Sequence, residues 1–394
     1  MYGRKTHRLN LVFVLFFTLI GRAQETNVNQ NTADSSYAYY VQKDWKQLIL
    51  NGKSVVEEGG NYYYLRLRIG IAHYELKEYF LAEQHFKAAI EFNDLEDLPK
   101  EYLYYCYFFT DRIEQSRRVA NQFGAEFNKK IGLDTVPLIN YFGVDGGGKF
   151  SNLADVPNAG LMGFNVGHRL SSSIFIDHNY SFYTQQNDLW QFKQHDYLIQ
   201  ATIPLKKNHT VAASFHYVNS NTAISAPLFS LDSSGAVFVG SINVQKQFKN
   251  HRIDLGTSAL GMGTNLQLQY NLGYAFYPRS NNSFSLGAKG YVHTNDGHGS
   301  TYFAVLPFLS FRPQPKLDFF ASYLLNQGNN IAEWNGALVN NSPDLTTGRF
   351  SLTAGYWLTT KAKISLTYQN EQKESGWTAD HNYNSLFVSL KFIP

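Results

Sequence analysis

One cysteine, Cys106, is the only thiol in this 394-residue chain. An internal disulfide is therefore excluded, as is any cysteine-built metal knuckle. Charge is scarce too, with Asp, Glu, Lys and Arg making up 16% of residues. No apolar run reaches the ~20 residues that a membrane-crossing helix needs. No His-Glu-x-x-His spacing occurs among the twelve histidines, and no Cys-x-x-Cys, so metal-hydrolase and zinc-ribbon chemistry find no support. Aromatic residues, in contrast, are abundant at 16%, with 27 Tyr and 30 Phe, while the mean hydropathy stays negative. A chain polar on average yet rich in aromatics fits a membrane β-barrel, whose lipid-facing and lumen-facing residues alternate and cancel.

The N-terminus has the layout of a secretory signal. Arg4, Lys5 and Arg8 precede the apolar stretch Leu11 to Ile20, and Gly21 to Ala23 supply small residues for cleavage before Gln24. Removing residues 1–23 takes four of the 34 basic side chains and none of the 31 acidic ones, leaving 30 against 31. The basic balance is then the signal's own, and nucleic-acid binding loses its electrostatic basis. Gln24, not a cysteine, stands directly after the cleavage point, so no lipid anchor is expected there.

Residues 24–36 are polar and expected to be disordered. From residue 37 to 126 apolar residues recur at helical spacing. Within this region Leu67 to Asn93, LRIGIAHYELKEYFLAEQHFKAAIEFN, resembles a tetratricopeptide repeat. In that resemblance Gly70 and Ala72 are the small residues where the first helix meets its neighbour, and His73 and Tyr74 take the aromatic positions. Tyr79 opens the second helix, whose buried face is Ala82, Phe86 and Ala89. Small residues let helices approach, and Phe fills the gap between successive pairs. Asp44 to Gly59 and Pro99 to Phe123 resemble more degenerate neighbours, giving about two and a half repeats. Cys106 lies in the aromatic run YLYYCYFF and reads as a packed core thiol.

After a linker over residues 127–136 the period becomes two and stays so to residue 394. In Asn265 to Tyr277, Leu266, Leu268, Tyr270, Leu272, Tyr274 and Phe276 share one face, with Gln267, Gln269 and Asn271 on the other. Such runs predict about 14 strands (12 to 16), near 137–146, 158–169, 171–183, 192–204, 208–219, 235–247, 251–262, 265–277, 282–293, 300–312, 316–327, 348–359, 361–371 and 382–393. Links after even strands are short. Links after most odd strands are long and polar, as at 219–235 and 328–348, and the short link near Gly263 is the exception. Short turns at one end and long loops at the other mark an outer-membrane barrel. A β-sandwich would need two dry inner faces, whereas here one face is consistently Ser, Thr, Asn, Gln and Gly. Tyr277, Tyr323, Tyr356 and Tyr383, near strand ends, are expected in the aromatic girdles.

Nothing in this pattern assembles a catalyst, and no catalytic, cofactor-binding or metal site is assigned. Asp177 and His178 fall on opposite faces of one strand, which divides any triad. His216 beside Ser214 is expected to face the lumen, the wrong side for a hydrolase of membrane lipid. TNDGHG, Thr294 to Gly299, reads as a glycine turn rather than a calcium loop. GVDGGGKF, Gly143 to Phe150, has the spacing of a phosphate loop, but Phe150 stands where Ser or Thr should hold magnesium. Its glycines are expected to bend the chain where the first strand leaves the membrane.

Helical repeats followed by a barrel give an α+β multidomain chain, similar in layout to outer-membrane exporters of bacterial exopolysaccharide and, loosely, to YaiO-type barrels. That resemblance implies an outer-membrane protein without cofactor, its helices in the periplasm. Residues 37–126 would dock a partner protein in envelope assembly or polysaccharide export. A passive or ligand-selective pore passing a small solute or polysaccharide is the alternative. A barrel enzyme acting on envelope lipid or glycan is the third reading.

Overall fold

The computed structural model describes residues 35–131, 138–171, 174–226, 229–263, 265–295, 300–328, 330–339, 344–376 and 379–394. The signal segment and residues 296–299 of the glycine turn lie outside the described residues. The chain divides into two compact units, the first ending at Phe123 and the second beginning at Gly124.

In the first unit a helical stretch over residues 35–42 is followed by α1 (Trp45–Glu57), α2 (Tyr63–Glu75), α3 (Tyr79–Phe92), α4 (Leu98–Phe109) and α5 (Ile113–Ala120). Asp44 caps α1 by accepting from the Gln47 N–H at 3.2 Å, satisfying one of the donors that a helix start leaves free. Pro99 sits in the first turn of α4, where its missing N–H costs nothing. Each helix packs on the next, and α2 also reaches α4. The α2–α3 approach is close: a Cβ on Gly70 would stand 2.7 Å from the Phe86 ring. Ala72, Ala82, Phe86, Ala89 and Cys106 are fully buried, while Tyr74 and Tyr79 are half-buried and meet edge-on at 5.5 Å. Among these apolar residues lies a carboxylate, Glu83. It receives Arg112 at 2.7 Å and Lys87 at 2.6 Å, and their charges hold its carboxyl at about 2 against the opposing effect of burial.

The second unit opens with α6 (Ala125–Lys130) and continues with strands β1 (Ile139–Ser151), β2 (Ala159–Ser171), β3 (Ile174–Gln186) and β4 (Trp190–Pro204). Next come β5 (His209–Ala226), β6 (Phe229–Phe248), β7 (His251–Met262), β8 (Asn265–Phe276), β9 (Phe284–Asn295), β10 (Ser300–Gln314) and β11 (Leu317–Asn326). A small hairpin, β12 (Ala332–Glu333) and β13 (Leu338–Val339), precedes β14 (Leu345–Trp357), β15 (Ala362–Glu374) and β16 (His381–Phe392). Fourteen strands, all but β12 and β13, form a closed antiparallel barrel in which β1 pairs with β16. Closure leaves no open edge.

The two faces separate as the alternation requires. On β8, Leu272 is 59% exposed and Gln269 fully buried. Leucine, valine and aromatic side chains coat the outside, and Ser241, Asn243, Gln269, Lys289 and Glu371 are buried on the inside. An apolar exterior around a polar interior is the outer-membrane type of barrel. Trp357 and Tyr356 lie towards one end, but Tyr383 is buried with its ring 4.6 Å from the Lys149 ammonium, and Tyr277 is buried as well. These two do not belong to a lipid-facing girdle, because strand parity turns them inward.

Two local readings are corrected, and the short link near Gly263 stands. The segment 219–235 is not a loop: β5 and β6 continue paired through Ala226 and Phe229, far beyond the ~9–11 residues that cross the hydrocarbon. The short link at Gly263 is a genuine turn, made with φ of +60°. Gly146 to Gly148 are not a rim bend either. They lie within β1, paired on one side with Leu386 to Val388 and on the other with Gly160 to Met162.

Candidate functional site in the barrel lumen

The link from β11 to β14 reads as a long polar loop. Its central part instead folds against lumen-facing side chains. Ala332 pairs with Val339 and Glu333 with Leu338, and the turn between them runs through Trp334, Asn335 and Gly336 with φ of +50°, +66° and +81°. Asn-Gly adopts left-handed backbone readily. A tryptophan does not, and such a residue persists only where its surroundings over-determine it. Here they do. The Trp334 ring meets Phe308 at 5.8 Å and Phe320 at 5.7 Å, the Lys289 ammonium lies 5.3 Å from its centroid, and the backbone N–H of Trp334 donates to the Tyr291 hydroxyl at 3.4 Å.

Attachment to the wall is spread over several strands. From β5, Ser214 donates to the Asn335 carbonyl at 2.6 Å, and His216 Nδ1 donates to the Gly336 carbonyl at 3.0 Å. From β8, Gln269 donates to the Ala332 carbonyl at 2.6 Å and accepts the Ala332 N–H at 3.1 Å. Gln267 adds a bond to the Asn330 carbonyl at 3.3 Å. From β9, Lys289 donates to the Asn335 side-chain oxygen at 3.3 Å. Between these polar ties Val218, Val237, Val239 and Leu260 pack on Ala332 and Val339.

The strongest tie is ionic. Arg349 of β14 donates from one terminal nitrogen to both Glu333 oxygens, at 2.7 and 2.5 Å, with both side chains buried. Arg349 also lies 3.8 Å from Glu371, which pairs with Lys149. Lys373 beside them donates to the Thr346 hydroxyl at 2.7 Å. A charged girdle of alternating sign thus lines the wall behind β12. On β7, Asp254 is fully buried with no hydrogen bond to either carboxylate oxygen, its nearest ionic neighbour being Arg252 at 3.5 Å. Among the described residues no cluster of three or more His, Cys, Asp or Glu forms a metal site.

Sequence reasoning reached His216 and its lumenal face but missed its role in holding the hairpin. It missed Glu333, Trp334 and Arg349 altogether. The apolar residues Ile331, Ala332, Leu338 and Val339 inside a supposedly polar loop were the available signal. Asp177 and His178 diverge as expected: Asp177 accepts the Tyr141 hydroxyl at 2.7 Å, and His178 bonds His168 and Tyr197 on the outer face. The residues singled out for repeat packing lie together along α2 and α3, in the first unit.

No protein-family model matches the sequence, and no curated protein matches it. Among solved structures the chain is similar to the monoaromatic hydrocarbon channel CymD, at 10% identity over 69% of this chain and 93% of that one, with a TM-score of 0.45. It is similar also to the Pseudomonas putida toluene transporter TodX, at 7% identity over 65% and 89%, TM-score 0.44. The Ralstonia pickettii toluene transporter TbuX aligns at 8% identity over 66% and 90%, TM-score 0.44.

Proposed function

We propose that the protein is an outer-membrane channel for small solutes, narrowed from within by the β12–β13 hairpin. The carrying observation is the hairpin itself, a segment joined to the wall by side chains rather than by the barrel's ladder. Polar inward residues supply a wetted wall, and the hairpin occupies part of it. Short links such as 249–250 and 205–208 would face the periplasm and the long β5–β6 extension the exterior. The signal segment 1–23 would direct export, with the helical unit on the periplasmic side.

Planar-bilayer recordings test this reading. Replacing residues 330–339 with a Gly-Ser linker of equal length is expected to raise unitary conductance several-fold over the native protein. Equal conductance in both, or none in either, would sink the channel reading.

Docking of a periplasmic protein by residues 37–126 is the second reading. It is favoured by the close Gly70–Phe86 approach and by contact of α2 with both α3 and α4, as a stack of repeats requires. Recovery of no periplasmic protein on the full chain, under conditions where its barrel is intact, would remove that reading.

A further inference from the structure

The outer wall of β3 to β6 carries a polar pocket at a depth the register defines. Tyr180, Tyr197, Tyr217 and Phe238 pair directly across these four strands and make one continuous aromatic row, with Tyr217 and Phe238 rings 5.1 Å apart. On the short-turn side of this row the same face carries Ile199, Phe215 and Ile242, the last two well exposed. On the long-loop side the chemistry changes at once. His195 pairs with Asn219 one same-face step beyond the row, and Lys193 with Asn221 a step further. At 3.4 Å per residue these steps lie about 7 and 14 Å along the strands.

Together with Gln191 these four residues line a cavity of about 350 Å³. An aromatic row of this kind sits at the boundary between hydrocarbon and headgroups, so the pocket lies among the outer headgroups. Its lining is a lysine, a histidine and three carboxamides, with no carboxylate. The nearest acid by register on that face is Asp232, opposite Ala223, one step beyond Asn221. His195 is oriented by the Tyr180 hydroxyl, 2.7 Å from Nδ1, which leaves Nε2 available to a ligand.

We propose that Gln191, Lys193, His195, Asn219 and Asn221 form a binding site for the phosphorylated headgroup of an outer-leaflet glycolipid. The ammonium meets the phosphate as a point charge, the carboxamides donate to phosphate and sugar oxygens, and the acyl chains lie along Tyr197, Tyr217 and Phe215. This inference rests on the membrane-barrel architecture and not on the channel reading.

The full chain in detergent, titrated with bisphosphorylated lipid A and followed by native mass spectrometry, tests it. The double variant Lys193→Ala/Asn221→Ala is expected to weaken retention about tenfold, the scale of one lost charge-assisted contact. Removing both phosphates from the lipid should have a similar effect, and Lys193→Arg should keep native retention. Unchanged heat-modifiable migration on gels certifies that the variants are folded. Equal retention by native protein and double variant would overturn the proposal, as would equal retention of the dephosphorylated lipid. Displacement of the lipid by inorganic phosphate at comparable concentration would reassign the pocket to a soluble anion. A dimer that forms without lipid and is lost in the double variant would reassign the face to a second copy of the chain.

Discussion

His85 of α3 and its neighbours illustrate how single side chains make this protein respond to acid. Its ring stacks on His73 at 5.4 Å and lies 3.5 Å from Arg66. Burial first, then the charges of His73 and Arg66, bring its imidazole down to about 3, and burial lowers His73 as well. Unfolded, a histidine titrates near 6.5. The folded pKa is depressed, so the stability this group lends is present above about 6.5 and is lost as pH falls towards 3. Glu83 has the same sign in a lower window, between its ordinary carboxylate range and about 2. Hydrogen exchange over residues 63–92 of the full chain, corrected for intrinsic rates, should accelerate between pH 7.5 and 5.0. His85→Gln should flatten that dependence, and an undiminished slope would show that other groups cause it. In the lumen the comparable residue is Arg349. Its removal leaves Glu333 buried without a partner, an arrangement that typically costs about 3–5 kcal/mol. Arg349→Ala should therefore speed exchange at residues 330–339 and raise open-channel current. Glu333→Leu combined with Arg349→Met should restore both towards native values, because an apolar pair of similar volume can replace a buried ion pair.

At the scale of elements, the glycines of β1 make the clearest contrast. A Cβ on Gly147 would collide with the Leu386 carbonyl and the Phe387 side chain across the closing seam, whereas one on Gly146 would find nothing nearer than 3.9 Å. Glycine in a strand often marks such a close approach. Gly147→Val is expected to lower the temperature at which the barrel loses its compact gel migration, and Gly146→Val to leave it unchanged. Equal effects of the two would mean that the seam tolerates the extra atoms. The same residues explain what could be read in advance. Strand alternation was legible because side chains within the membrane alternate between lipid and lumen, as on β8, and β7 over 251–262 has the ends that this pattern predicts. The helices were legible from Gly70, Ala82 and Phe86, whose sizes report a local approach. Gly146 to Gly148 misled because three glycines resemble a turn locally, while the cause of their presence lies on β16, some 240 residues away. The Glu333–Arg349 tie was illegible for a similar reason: two charges sixteen residues apart meet only once the link has turned inward.

At the scale of the whole molecule, two units with separate cores are joined in one chain. Leu48, Ile69, Phe86 and Cys106 belong to one core, and the lumenal cluster of Val218, Val239, Leu260 and Ala332 to the other. Units with their own cores unfold as separate cooperative steps. The acid-sensitive groups Glu83 and His85 lie in the first unit, and the hairpin that narrows the lumen lies in the second. Far-UV circular dichroism at 222 nm should therefore report a helical transition that shifts down between pH 7.5 and 5.0. Gel migration, which follows the barrel, should report a different and higher transition. Deleting residues 35–123 should abolish the first signal and leave the second in place. The truncated chain should also keep the conductance difference between native and hairpin-replaced forms, since among the described residues the ties that hold the hairpin come from β5 to β11 and β14. Loss of that difference on truncation would mean that the helical unit takes part in closing the channel, and the division of labour argued from the two cores would be wrong.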